Sequence, residues 1–116
     1  MMDASKIEII TSMTKFADLK RALSKVGVSG MTVTQVIGCG VEKGTHEYEI
    51  KENVEMELLP KQHIMLVVEN DVLESVLEVI KEELYTGHIG DGKIFITPVS
   101  NIIRIRTGED GIDALK

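Results

Sequence analysis

The stretch KQHIMLVVENDVLESVLEVIKEELYTGHIGDGKIFITPV, residues 61–99, decides the fold. Its hydrophobic period changes twice. KQHIMLVVE is a short β-rich run and reads as a strand. In NDVLESVLEVIKEELYTG the apolar residues Val72, Leu73, Val76, Leu77, Ile80 and Leu84 return at steps of three and four. That spacing lays one apolar face along a helix. Asn70 or Asp71 supplies its cap, and Gly87 stands past its end. KIFITPV is a second β-rich run, and Pro98 places it at a sheet edge or a strand end. Between helix and strand lies a turn that holds Gly87, Gly90, Gly92 and Lys93.

The upstream half repeats the plan. Residues 6–12 alternate briefly and read as a strand. In TKFADLKRALSKVG, residues 14–27, Phe16, Leu19, Ala22, Leu23 and Val26 mark a helix face. Thr14 is the expected N-cap and Gly27 the expected stop. MTVTQVIG, residues 31–38, alternates again and gives another strand. The order β-α-β-β-α-β predicts an α+β, ferredoxin-like fold, with two helices on one face of an antiparallel sheet. Two segments are surplus to that plan: the connection from about Gly38 to Leu59, and the tail after Val99. A link of some twenty residues between sheet strands is functional or disordered as a rule. Its second half, NVEMELL, alternates and would extend the third strand as a ribbon.

A chain of 116 residues is large enough for one ordinary core, so residues 1–116 are expected to form a single domain. Apolar residues make up 43%, which marks a globular chain, and aromatics only 3%, so the core must be aliphatic. No apolar run reaches membrane-spanning length, and MMDASKIEII lacks the features of a signal peptide. The single Cys39 cannot close an intramolecular disulfide. A cytoplasmic protein with no direct membrane insertion is expected. The net charge of −6 argues against nucleic acid as a partner, because that binding needs a basic face. Six glutamates between Val41 and Leu58 face only Lys43 and Lys51, so this segment holds four of the six net charges. An anion remains possible elsewhere.

In TGHIGDGK, Gly87, Gly90 and Gly92 can take positive φ, and their N–H groups can converge on one spot, with Lys93 adding a point charge for phosphate. The competing reading is a helix stop followed by a tight turn. In IIRIRTG, Arg104 and Arg106 are two apart and share a face if the segment is extended. Two guanidiniums side by side suit a phosphate; the alternative is a pair facing Glu109 and Asp110. The two motifs together predict a polyphosphate or nucleotide site. Catalytic groups are sparse. His46, His63 and His88 are well separated, lack metal-ligand spacing and read as surface residues. Cys39 reads as a small buried residue. Glu42 and Asp91 are the only candidate general bases for a phosphate-hydrolysing enzyme, so the chain reads as a non-enzyme.

TGHIGDGKIFI together with IRIRTGEDGIDAL closely resembles the C-terminal half of the PII signal-transduction family, and ALSKVGVSGMTVTQVIGCG and LLPK resemble its upstream elements. The resemblance implies a homotrimer of ferredoxin-like subunits with a long T-loop at about residues 40–58. It implies ATP or ADP in clefts between subunits, and T-loops that engage or release a transporter or enzyme in nitrogen regulation. Carried over by position, the phosphates would lie against Gly90, Asp91, Gly92 and Lys93, with Arg104 and Arg106 reaching them from the adjacent subunit. Gly38 and Gly40 would let backbone approach the ligand, followed by Val41. Thr32 and Val67 would line the adenine side, and Lys61 would sit near the γ-phosphate.

The departures from the family pattern bear on the effector. Glu42 stands where the family usually has the glutamine that helps hold Mg and 2-oxoglutarate. A carboxylate there could still ligate Mg, but it would repel a dicarboxylate. Val41 stands where arginine is common. Val54 replaces the tyrosine that some members uridylylate, and Tyr48 is not its equivalent. Ile50, beside Lys51, replaces the arginine that plugs ammonium channels. The resemblance therefore implies nucleotide binding well and implies the 2-oxoglutarate response, uridylylation and channel plugging poorly. Glu47, Tyr48, Glu49, Ile50, Lys51 and Glu52 would form the partner-binding part of the loop. A sensor of nucleotide or of another small anion, without 2-oxoglutarate, is the alternative.

Overall fold

The computed structural model describes residues 3–12, 15–40, 57–88 and 91–116. Its elements run β1 (Ala4–Thr11), α1 (Phe16–Lys25), β2 (Thr32–Gly40), β3 (Glu57–Glu69), α2 (Asn70–Leu84), β4 (Lys93–Pro98) and α3 (Ile112–Leu115). The strands form one sheet in the order β2-β3-β1-β4, with antiparallel neighbours throughout. This is the expected ferredoxin-like α+β arrangement. Pro98 does end an edge strand, where its missing N–H costs no ladder bond.

The register puts alternate residues on opposite faces. Ile7 pairs with Leu66 and Ile96, and Ile9 with Ile64 and Ile94. Both rows face the helices. Ile7, Ile9, Ile64, Leu66 and Val68 pack with Leu19 and Leu23 of α1 and Val76, Ile80 and Leu84 of α2 in one aliphatic core. Burying each such side chain is worth about 1.5–3 kcal/mol. The other face carries Thr32, Thr34, Val36 and Gly38 of β2, paired with Met65, His63, Lys61 and Leu59 of β3, and Val67, which pairs with Lys6 of β1.

Several boundaries differ from the sequence reading. Glu69, in extended conformation, occupies the N-cap position of α2, and Asn70 is already helical. Asn70 is claimed by a tertiary tie: its N–H donates to the Asp3 carbonyl at 2.9 Å, and its Oδ1 accepts from Ser5 Oγ at 2.6 Å. Lys15 precedes α1 without a side-chain cap, and Thr14 lies outside the described residues. Gly27 ends α1 with φ of 90°, as expected of a stop. β3 begins at Glu57, because Leu59, Leu58 and Glu57 pair with Gly38, Cys39 and Gly40. The ribbon expected from NVEMELL is present over its described end. Among the described residues no helix is long and apolar enough to cross a membrane.

Candidate functional site

The glycine turn before β4 is closed from inside by Asp91. Its Oδ2 accepts the N–H groups of Thr86 at 2.8 Å and Gly87 at 3.2 Å, and its Oδ1 accepts the Thr86 hydroxyl. The Thr86 oxygen accepts the His88 N–H at 3.1 Å. These donors, the Thr86 hydroxyl foremost and its amide next, hold the Asp91 carboxyl below the usual carboxylate range. Asp91, one of the two candidate bases weighed for an enzyme, accepts three donors from its own turn through its carboxylate.

Two further contacts fix this turn to the end of β1. The Thr11 hydroxyl, in a residue only 3% exposed, donates to the Asp91 carbonyl at 2.7 Å. Gly92 has φ of 108°, and a Cβ there would stand 2.0 Å from the Ile10 carbonyl oxygen. Gly87 also takes positive φ, at 81°. The turn thus delivers Lys93 at the first position of β4, exposed and without an ion-pair partner among the described residues. Gly90 lies outside the described residues. Thr11 and Thr86 escaped the sequence reading, since an isolated threonine carries no signal until the chain brings residues 11 and 91 together.

A second group gathers on β2 and β3. Val36 pairs with Lys61, and the position for a Cβ on Gly38 lies 3.0 Å from Lys61 Cγ. Gly38 is open so that the lysine stem can cross β2. Thr32 and Val67 line a cleft of about 640 Å³, together with residues 26–31, part of β3, and Leu115 and Lys116. Gly40 pairs with Glu57 at the edge of the described ribbon.

The arginines do not share an extended face, contrary to expectation. Ile103 bridges to Asp110, the Arg104 N–H donates to the Glu109 carbonyl at 2.8 Å, and Arg106 falls in the turn between. Gly108, with φ of 75°, closes that turn by donating to the Arg104 carbonyl at 2.8 Å. The Arg104 guanidinium bonds the carbonyls of Ala114, at 3.2 Å, and Lys116. Its Nη1 lies 3.6 Å from Glu109 Oε1, the carboxylate contact foreseen as the alternative. Arg106 is exposed and has no partner among the described residues.

Within one chain these groups lie apart. Lys93, Ile10, His63 and Thr34 form one row across β4, β1, β3 and β2. Lys93 and Thr32 therefore sit on opposite edge strands, roughly 14 Å apart across the sheet at ordinary strand spacing. His63 is half-buried and bonded to Glu8 Oε1 at 3.0 Å, so it is not the surface histidine that was expected. Cys39 is exposed rather than buried. No group of three or more His, Cys, Asp or Glu residues among the described residues could hold a metal. Val41, Glu42, Glu47, Tyr48, Glu49, Ile50, Lys51 and Glu52 lie outside the described residues.

Comparison with known proteins places this arrangement. The family model described as nitrogen regulatory protein P-II matches residues 4–109. The nitrogen regulatory protein P-II of Azospirillum brasilense is 44% identical over 110 residues, covering 95% of this chain and 98% of its own. Nitrogen regulatory protein P-II 1 of Methanothermobacter thermautotrophicus is 43% identical, covering 99% of this chain and all of its own. Among solved structures, a B. subtilis GlnK–ATP complex superposes with a TM-score of 0.82 at 39% identity, covering 97% of each chain. Arabidopsis thaliana PII bound to citrate gives 0.78 at 36% identity, covering 97% of this chain and 92% of that one.

Proposed function

This chain belongs to the nitrogen regulatory protein P-II family, and on that footing we propose that it is an ATP- or ADP-binding signalling protein that works as a homotrimer. The observation that carries the reading is the separation of a cationic turn from a cleft lined mostly by apolar residues. Lys93, on its fixed glycine turn, and the Thr32 cleft lie on opposite edges of one sheet. A cyclic assembly would bring the Thr32 edge of one subunit beside the Lys93 edge of the next, because a heterologous interface joins one edge of a subunit to a different edge of its neighbour.

In that assembly Gly90 and Gly92 offer backbone N–H groups to the phosphates and Lys93 supplies the charge. The Asp91 carboxylate holds the turn and leaves the ligand to its neighbours. Lys61, steered over Gly38, and the arginines complete the anion site, while Thr32 and Val67 flank the base. Gly40 and Val41 are the remaining residues assigned to the nucleotide in this reading. Mg enters with ATP, with Glu42 as its candidate protein contact. The ATP-bound state of the similar B. subtilis GlnK supports this reading.

The loop of residues 40–58 is the output. Its excess of glutamate suits a basic docking surface, and the cytoplasmic face of a membrane transporter is one, since its loops are rich in Lys and Arg. An enzyme of nitrogen metabolism is the other candidate partner. Reversing Glu47, Glu49 and Glu52 to lysine should abolish partner binding and spare nucleotide; unchanged partner binding would refute the charge argument.

Glu42 favours a second reading of the effector, in which nucleotide alone or another small anion is sensed and 2-oxoglutarate is not. Titration calorimetry of ATP-Mg, with and without saturating 2-oxoglutarate, tests both. ATP binding that 2-oxoglutarate tightens supports the nitrogen-status sensor. ATP binding that it leaves unchanged supports the second reading. No nucleotide binding would overturn the proposal.

A further inference from the structure

We propose that the segment Ile112–Leu115 with Lys116 competes with nucleotide for Arg104, so that docking of α3 and nucleotide binding oppose each other. The inference rests on the nucleotide reading above and adds a regulation of the same site. Two observations meet in this segment. The Arg104 Nη2 group donates to the carbonyls of Ala114 and Lys116. Leu115 and Lys116 also form part of the wall of the 640 Å³ cleft that holds Thr32 and Val67. One short segment both engages the arginine and narrows the cavity.

The two arginines are thereby in different states. Arg106 is exposed and unpartnered among the described residues, ready for an anion. Arg104 has its Nη2 donors on two carbonyls and its Nη1 beside Glu109. A guanidinium N–H serves one strong acceptor at a time, so Nη2 cannot keep both carbonyls and grip a phosphate. The exchange favours phosphate, because a polyphosphate carries several negative charges and can take a guanidinium by two parallel N–H bonds, which a single backbone oxygen cannot.

Apart from Arg104, the docked segment is held by its packing against β3, with Ile112, Ala114 and Leu115 half-buried. α3 has four residues, below the length at which a helix persists by itself. Ala114 N–H donates to the Gly111 carbonyl at 3.1 Å, a bond within the segment that gives no anchor to the sheet. When Arg104 turns to phosphate, the freed carbonyls go to water and Leu115 leaves the cleft wall. Linkage makes the effect reciprocal: nucleotide releases the segment, and loosening the segment tightens nucleotide. The apparent dissociation constant is the intrinsic one divided by the undocked fraction.

The test pairs calorimetry with hydrogen exchange. ATP-Mg is titrated into the full chain and into a chain ending at Gly111, and peptide-level exchange is followed in the full chain with and without ATP. The shortened chain should bind ATP roughly threefold to tenfold tighter, and ATP should speed exchange across residues 112–116. Equal or weaker binding by the shortened chain overturns the competition, as does unchanged or slower exchange in that segment. Should the shortened chain fail to fold, Leu115→Ser replaces it, and the exchange result on the unaltered chain decides without either variant. Absence of ATP binding to every form would overturn the nucleotide reading, and this inference with it.

Discussion

A side chain at Gly92 would place its Cβ 2.0 Å from the carbonyl oxygen of Ile10, and that oxygen belongs to a paired strand that cannot retreat. Gly92 also sits at φ of 108°. Gly92→Ala therefore meets two penalties, backbone strain of roughly 1–3 kcal/mol and overpacking of similar size. The expected loss is about 3 kcal/mol in a denaturant melt, with the Lys93 turn displaced. A variant as stable as the parent would show that the turn can leave β1 freely.

Thr11 ties the same turn by a single hydroxyl. Thr11→Val keeps the shape and removes the donor to the Asp91 carbonyl, leaving that acceptor unmet. Stability should fall by about 1–2 kcal/mol, and ATP affinity should fall with it. Thr11→Ser restores the donor and should recover the affinity. Equal affinities for the valine and serine variants would remove Thr11 from any role in positioning the turn.

Acid should loosen the turn through Asp91. The donors from Thr86 and Gly87 hold its carboxyl below the usual range in the folded protein, so the unfolded chain takes up the proton first as pH falls. The resulting stabilisation is complete above the unfolded carboxylate value of about 3.9 and is lost as pH drops through the lower folded value. Asp91→Asn lacks it at every pH. Thermal melts from pH 6 down to roughly pH 2.5, below the unfolded carboxylate value, should show the gap between parent and variant narrowing in acid. A gap that stays constant with pH would assign the stability to something other than this carboxylate.

Gly38 keeps a path open for the Lys61 stem, whose Cγ lies 3.0 Å from where a Cβ would stand. Gly38→Val pushes that side chain aside on an exposed stretch of ribbon, so stability should change by less than about 1 kcal/mol. Calorimetry should show ATP affinity falling roughly tenfold, the equivalent of about 1.4 kcal/mol. Unchanged affinity would detach Lys61 from the phosphate site.

Periodicity made the element order, and so the fold, legible in the chain itself. The three-and-four spacing of Val76, Ile80 and Leu84 and the β-rich runs around Ile64 and Ile94 are local consequences of helix and strand geometry; four of these residues are buried in the core and Ile94 packs against it. The stopping role of Gly27 and the turn around Gly87 were readable for the same reason, because positive φ is a property of the residue. The motif residues Gly92, Lys93, Arg104 and Arg106 stood out through residue chemistry. What each one touches was not legible, because contact depends on partners distant in sequence. Asn70, one of two residues expected to cap its own helix, is held by Asp3 and Ser5 instead. Asp91 looked like an acid beside a ligand, yet its carboxylate folds the turn, and Thr11 holds its carbonyl from eighty residues away. Arg104 and Arg106 looked equivalent until the chain folded back and gave only Arg104 the carbonyls of Ala114 and Lys116. Local spacing determined which elements form and which face of each is apolar; only the tertiary pairing decided which polar groups are spent on the scaffold and which stay available, since a hydrogen bond between distant residues leaves no period in the sequence.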